Sequence, residues 1–171
     1  MPKRKSLRLK TFDYSSNGAY YVTVCVEGKR QLLGEVVGDD AHIIPICRLS
    51  QYGCVVRKYI ENINLVYSGV WVDKYIVMPN HIHLILFVDQ VKTGDGPLRA
   101  AAPTSAIIPT VVRSLKTMVT KEVGISLWQR SYHDHIIRDE NEYQEIWQYI
   151  DQNPAKWADD EYYNQQKGGA I

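Results

Sequence analysis

The sequence predicts an α+β fold, an antiparallel sheet with helices packed on one face. Three observations predict it. Strand-like runs with period-two alternation are interleaved with helix-like stretches. Two of those runs are separated only by Pro79-Asn80, which requires an antiparallel hairpin. The chain of 171 residues, 45% hydrophobic and 23% charged, has the make-up of one globular core.

A formal net charge of +1 argues against a uniformly basic nucleic-acid binder, but Lys3, Arg4, Lys5, Arg8 and Lys10 concentrate positive charge in a basic arm over residues 1–10. That run serves either as a solvated tail or as a phosphate-contacting segment. Cys25, Cys47 and Cys54 are odd in number and lack CxxC or Cys/His spacing, so neither a disulfide framework nor a structural zinc site is indicated. No apolar run is long enough to span a bilayer, and the basic start is not followed by a signal-peptide core. The expectation is a cytoplasmic protein with no membrane partner.

Taken in order, Ala19 to Glu27 is rich in aromatic and β-branched residues and reads as a central strand. Gln31 to Val37 and Ala41 to Pro45 are two shorter strands around the turn residues Gly38-Asp39-Asp40, an expected edge hairpin. From Leu49 to about Asn62, Tyr52, Val55, Val56, Tyr59 and Ile60 recur at spacings of three and four, which predicts an amphipathic helix. Val70 to Met78 and His81 to Val88 form the tight hairpin. The stretch from about 89 to 109 is rich in Gly and Pro and reads as a mobile loop.

A second helix is expected from Thr110 to about Val123, stopped by Gly124. Ser126 to Arg138 reads as a strand leading into Asp139-Glu140-Asn141-Glu142, an Asp-x-x-Glu helix start. The third helix runs to about Asn153, where Pro154 stops it. Residues from about 155 to 171 are polar and read as a loosely attached tail, with Trp157 and Tyr162 as its candidate anchors.

Two places carry chemistry. His81 and His83 flank one residue at the head of an apolar strand, so both project from one face while Ile82, Leu84, Leu86 and Val88 project from the other. Such a pair fits two roles: neutral imidazole ligands to a metal, or packed, hydrogen-bonded strand histidines. His133 and His135 repeat the spacing without the turn and aliphatic frame. On the third helix Tyr143, Trp147 and Ile150 cluster in one direction, while Tyr149 lies about 100° from that cluster and Asn153 only about 40° from Tyr149. Tyr149 and Asn153 therefore share a helix flank, either as ordinary amphipathic packing or as a nucleophile beside a ligand.

The run MPNHIHLILFV, then a loop, a helix, WQRSYHDHIIRDE and YIDQNPAKW, resembles the single-tyrosine HUH transposases of small bacterial insertion sequences, and most closely their REP-associated branch. The likeness extends from about Leu7 to Trp157. It implies a single ferredoxin-like (RRM-like) domain with His81 and His83 as metal ligands, Tyr149 as nucleophile and Asn153 in the third ligand position. Mobile members commonly have Gln at that last position, and Asn153 favours the REP-associated branch. The implied metal is a divalent cation, Mg²⁺ with Mn²⁺ as the alternative. The implied partner is single-stranded DNA folded into hairpins, bound by a monomer or a homodimer.

The implied reaction is metal-dependent nicking and rejoining of that DNA, in transposition or repeat processing, through a 5′-phosphotyrosine and a free 3′-hydroxyl. The basic arm, Arg130, Arg138 and Lys156 are the candidate phosphate contacts, whereas Tyr20, Tyr21 and Tyr75 sit in apolar strand patterns and read as structural. Two rivals share the same fold: a non-catalytic hairpin-binding protein, and a metal-dependent nuclease that uses water.

Overall fold

The computed structural model describes residues 17–38, 44–89 and 107–163. The basic arm, most of the expected loop and the end of the expected tail lie outside them. Strands β1 (Gly18–Cys25), β2 (Gly34–Val37), β3 (Ile46–Leu49), β4 (Val70–Val77), β5 (His81–Val88) and β6 (His133–Ile137) alternate with helices α1 (Gln51–Glu61), α2 (Ile63–Val66), α3 (Ile107–Val123) and α4 (Glu140–Gln152). A four-stranded sheet has the order β4-β5-β1-β6, with antiparallel neighbours throughout. The segments β1-α1-β4 and β5-α3-β6 each leave room for one inserted strand, so the sheet is built from two split βαβ units, the ferredoxin-like arrangement.

The main core follows from the alternation of the central strands. Val22 and Val24 of β1 and Ile82, Leu84 and Leu86 of β5 turn to one face, where Val56 and Ile60 of α1 and Val111, Leu115 and Val119 of α3 cover them. Ser50 caps α1 by accepting from the Gly53 amide at 3.2 Å. Position 53 has no room for a side chain, because a Cβ there would stand 2.0 Å from the Leu33 carbonyl oxygen. Gly124 ends α3 with a φ of 78° and an amide bonded to the Thr120 carbonyl, as its place after the apolar stripe predicts.

The expected helices on one face account for α1 and α3 but not for α4. Its stripe of Tyr143, Ile146, Trp147 and Ile150 packs on the opposite face, against Ile85 and Ile137 with Ala19, Ile76 and Phe87 around them. That face is apolar at its centre and has to be covered, so it is not open as expected. Asp139 caps α4, accepting from the Glu142 amide at 2.9 Å, and Glu142 reaches back to the Arg138 amide at 2.7 Å.

Three boundaries differ from expectation. The β2–β3 pair is a separate two-stranded sheet, with Gly34 opposite Leu49 and Val37 opposite Ile46, so its second strand lies beyond Pro45. The strand read from Ser126 to Arg138 is regular only over β6; before it, Trp128 bridges Val26 and the Gln129 amide donates to the Cys25 carbonyl. Helix α3 begins at Ile107, with Pro109 in its first turn, where no helical amide bond is forfeited. Among the described residues no helix is long and apolar enough to cross a membrane.

Candidate active site

The β4–β5 turn sets the position of the histidines. Met78 donates its amide to the His81 carbonyl at 2.9 Å, and the Pro79 and Asn80 carbonyls accept from Leu33 and Val26 at 2.9 and 2.8 Å. The turn is thereby fastened to two neighbouring segments, and β5 leaves it with His81 and His83 on the face that α4 covers. Both side chains are buried, at 0% and 1% exposure.

Asn80, fully buried beside them, orients the first imidazole. Its Nδ2 donates to the Lys29 carbonyl at 3.1 Å and the Tyr162 carbonyl at 2.8 Å, which leaves Oδ1 facing His81 Nδ1 at 2.8 Å. An amide oxygen only accepts, so His81 carries its proton on Nδ1 and presents a bare Nε2. His83 Nδ1 lies 2.7 Å from the Tyr21 hydroxyl and 2.9 Å from Thr23 Oγ1, the residue paired with it across the β1–β5 ladder. Both hydroxyls can accept from Nδ1–H, the tautomer in which the His83 Nε2 lone pair is free as well. Tyr21, read from sequence as structural, is therefore a partner of the site. Burial pushes its phenol well up, so it stays protonated.

Burial pushes the His81 imidazole down to about 4, against an opposing pull from the Asp160 carboxylate. Burial and the neighbouring His81 hold His83 well below its ordinary value. Both rings are neutral near pH 7, the form in which imidazole binds a metal. Their centroids are 4.5 Å apart.

Helix α4 brings the other side chains. Asn153, at the helix end, is buried; its Nδ2 donates to Asp160 Oδ2 at 2.9 Å. Tyr149 is 38% exposed, its ring edge-on to His83 at 5.4 Å, and its hydroxyl donates to the same Asp160 oxygen at 3.3 Å. Burial and the Asp160 carboxylate push the Tyr149 phenol up to about 12.

Asp160 had no signal in the sequence beyond the tail in which it lies, whereas Tyr162, with Trp157, reads as an anchor of that tail. Residues Asn153–Asp159 form a 3-10 segment, and the chain after it folds over the histidines. The Tyr162 ring lies 4.6 Å from His81, and its amide donates to Asp160 Oδ1 at 2.7 Å. The part of the expected tail up to residue 163 is thus packed against the site.

Buried atoms without a hydrogen-bond partner among the described residues include His81 Nε2, His83 Nε2 and Asn153 Oδ1. Leaving one such atom unsatisfied costs about 1–3 kcal/mol, and three lone pairs in one site fit a bound cation. His81, His83 and Asp160 each offer a ligand atom, all within 4.8 Å of one another. Two imidazoles with amide and carboxylate oxygens suit a divalent ion of intermediate hardness.

The other candidates divide. His135 Nε2 is engaged by Glu142 Oε1 at 2.6 Å, and His133 is exposed, so the second His-x-His is not arranged as a metal site. Lys156 lines the cleft of about 570 Å³ that holds Tyr149 and Asn153. Arg130 lies on a different cleft, and Arg138 is exposed before α4. Lys3, Arg4, Lys5, Arg8 and Lys10 are outside the described residues.

No family model matches the chain. A Haemophilus influenzae protein, described only as uncharacterised, is 36% identical over 173 residues, covering 94% of this chain and 93% of its own. The chain belongs to that protein's family. The solved structure of a REP-associated tyrosine transposase bound to a REP hairpin is 20% identical, with a TM-score of 0.58 over 88% of this chain and 72% of that one. The two share a fold. A candidate transposase from Deinococcus radiodurans is 19% identical over 85% of this chain and 97% of its own, with a TM-score of 0.45.

Proposed function

We propose that the protein nicks and rejoins single-stranded DNA at hairpin sites, with Tyr149 as nucleophile. The observation that carries this reading is the set of three unpartnered buried donor atoms, His81 Nε2, His83 Nε2 and Asn153 Oδ1, beside a half-exposed tyrosine. The fold shared with a transposase that binds a REP hairpin supports the same substrate class.

His81, His83 and Asn153 would hold a divalent ion, Mg²⁺ or Mn²⁺. Such an ion supplies Lewis-acid polarisation of a phosphate oxygen and offsets charge at the reacting phosphorus. Asn80 keeps His81 in the tautomer that presents Nε2, and Tyr21 and Thr23 hold the His83 ring in place, so both side chains are preorganised.

Tyr149 Oη attacks the scissile phosphorus and a new P–O bond forms as the P–O3′ bond breaks. The released 3′-oxygen takes a proton from water, and the 5′-phosphate stays on the tyrosine. The phenol proton passes to the Asp160 carboxylate, which already accepts that hydrogen bond. A phenol held at about 12 needs such an acceptor, because little of it is ionised near neutrality. The bond energy is retained in the phosphotyrosine, so reversal by a 3′-hydroxyl rejoins a strand without a nucleotide cofactor.

The test mixes the protein, and Tyr149→Phe, with labelled hairpin oligonucleotides in Mg²⁺, Mn²⁺ or EDTA, followed by denaturing gels. A metal-dependent covalent band from the wild type alone is the expected result. Cleavage by both proteins without a band would identify a water-using nuclease. Tight binding with no cleavage would identify a DNA-binding module.

A further inference from the structure

A second cleft, of about 200 Å³, opens between α3 and the segment that leads into β6. Arg113, Lys116 and Arg130 line it together with Tyr132, and among the described residues no carboxylate does. Lys116 Nζ donates to the Gln129 and Ser131 carbonyls, both at 2.9 Å, which fixes its charge where helix and segment meet. Arg113 and Arg130 are exposed, and among the described residues neither has a hydrogen bond or an ion pair. Two guanidinium groups beside one cleft repel each other unless an anion joins them.

The mouth of the histidine site has the opposite sign. Glu145, Asp159, Asp160 and Glu161 line it, against Lys156 alone. Side chains there do not attract a polyanion, so affinity for a phosphate backbone has to come from elsewhere on the surface. Gln129, which precedes Arg130, donates to the carbonyl of Cys25, and Cys25 is paired with His81. The cleft itself opens on the α3 side of the sheet, whereas the histidines lie on the side that α4 covers.

We propose that Arg113, Lys116 and Arg130 form a phosphodiester subsite that grips the DNA substrate away from the histidine site, on the α3 side of the sheet. The inference rests on the function proposed above for its substrate, and it adds where that substrate is held. Lys116 supplies fixed charge, and the two arginines close on successive phosphate oxygens.

The experiment measures binding of a labelled hairpin oligonucleotide with a single-stranded flank, from about 50 to 200 mM salt. It compares the full chain with Arg113→Ala/Arg130→Ala and with Arg113→Lys/Arg130→Lys. Losing two phosphate contacts lowers the salt slope by about 1.5, so the affinity gap between wild type and the alanine pair narrows about eightfold across that range. The lysine pair keeps the wild-type slope. An alanine pair with wild-type affinity and slope overturns the subsite. The covalent-band assay run beside it separates the two readings. A changed slope with no band from any protein rejects the nicking function and leaves the subsite standing, whereas bands from all three with one common slope do the reverse.

Discussion

Asn80→Ala tests how the two proposed metal ligands are held, because the Asn80 side chain is engaged by Lys29, Tyr162 and His81. The substitution removes the acceptor for His81 Nδ1–H and the donors to the Lys29 and Tyr162 carbonyls, at 2.8, 3.1 and 2.8 Å. Each bond contributes about 1 kcal/mol net, so the folded state loses about 3 kcal/mol. Freed of its partner, the imidazole can rotate or move its proton to Nε2, and either change withdraws the lone pair. Loss of such an outer partner lowers metal affinity about 10- to 100-fold. Calorimetric titration with Mn²⁺, after a urea transition has shown the variant to be folded, reads this directly. Asn80→Asp retains the acceptor and should retain most of the affinity. A folded Asn80→Ala with wild-type affinity would refute the argument that this amide sets the tautomer.

Asp160→Asn keeps the acceptor for the Tyr162 amide but removes the carboxylate beside Tyr149; cleavage should fall about 100-fold or more in single-turnover assays. If Mn²⁺ affinity instead drops as far as in His81→Ala, the residue is a ligand and the proton assignment is wrong. Metal-free protein should lose stability as pH falls from about 6.5 to about 4: the unfolded chain protonates His81 at its ordinary value, while the buried ring resists until about 4. The loss amounts to about 3 kcal/mol, with His83 acting in the same direction, and a flat urea midpoint over that window would contradict it. Ile150→Ala should cost about 2–5 kcal/mol by opening a cavity under α4, read by thermal melting.

The hairpin, both His-x-His pairs and the helix with Tyr149 were legible because each is a short-range pattern: period two in β5, about 3.6 in α4, and a turn made by Pro79-Asn80. The packing of α4 on the second face was not, since a stripe of Tyr143, Trp147 and Ile150 shows that a helix must be covered without showing by what. Asn80 read only as a turn residue, and its three bonds reach chain positions as distant as Tyr162. Asp160 and Tyr162 sit in a polar run with no period, and only the tertiary fold places them over the histidines. The start of β3 was misplaced because Gly38-Asp39-Asp40 has the chemistry of a tight turn, while the observed pairing of Val37 with Ile46 requires a longer connection.

The two halves of the site rest on cores of unequal strength. β5, with the histidines, belongs to the large cluster shared with α1 and α3, whereas α4 is seated through its Ile150 on Ile85 and Ile137 and a fringe of half-buried side chains. Local opening takes the least buried contact first. Tyr149 and Asn153 therefore ride on the more weakly seated element, while His81 and His83 belong to the firmer one. On the function proposed above, nucleophile and third ligand would then arrive or leave in one motion.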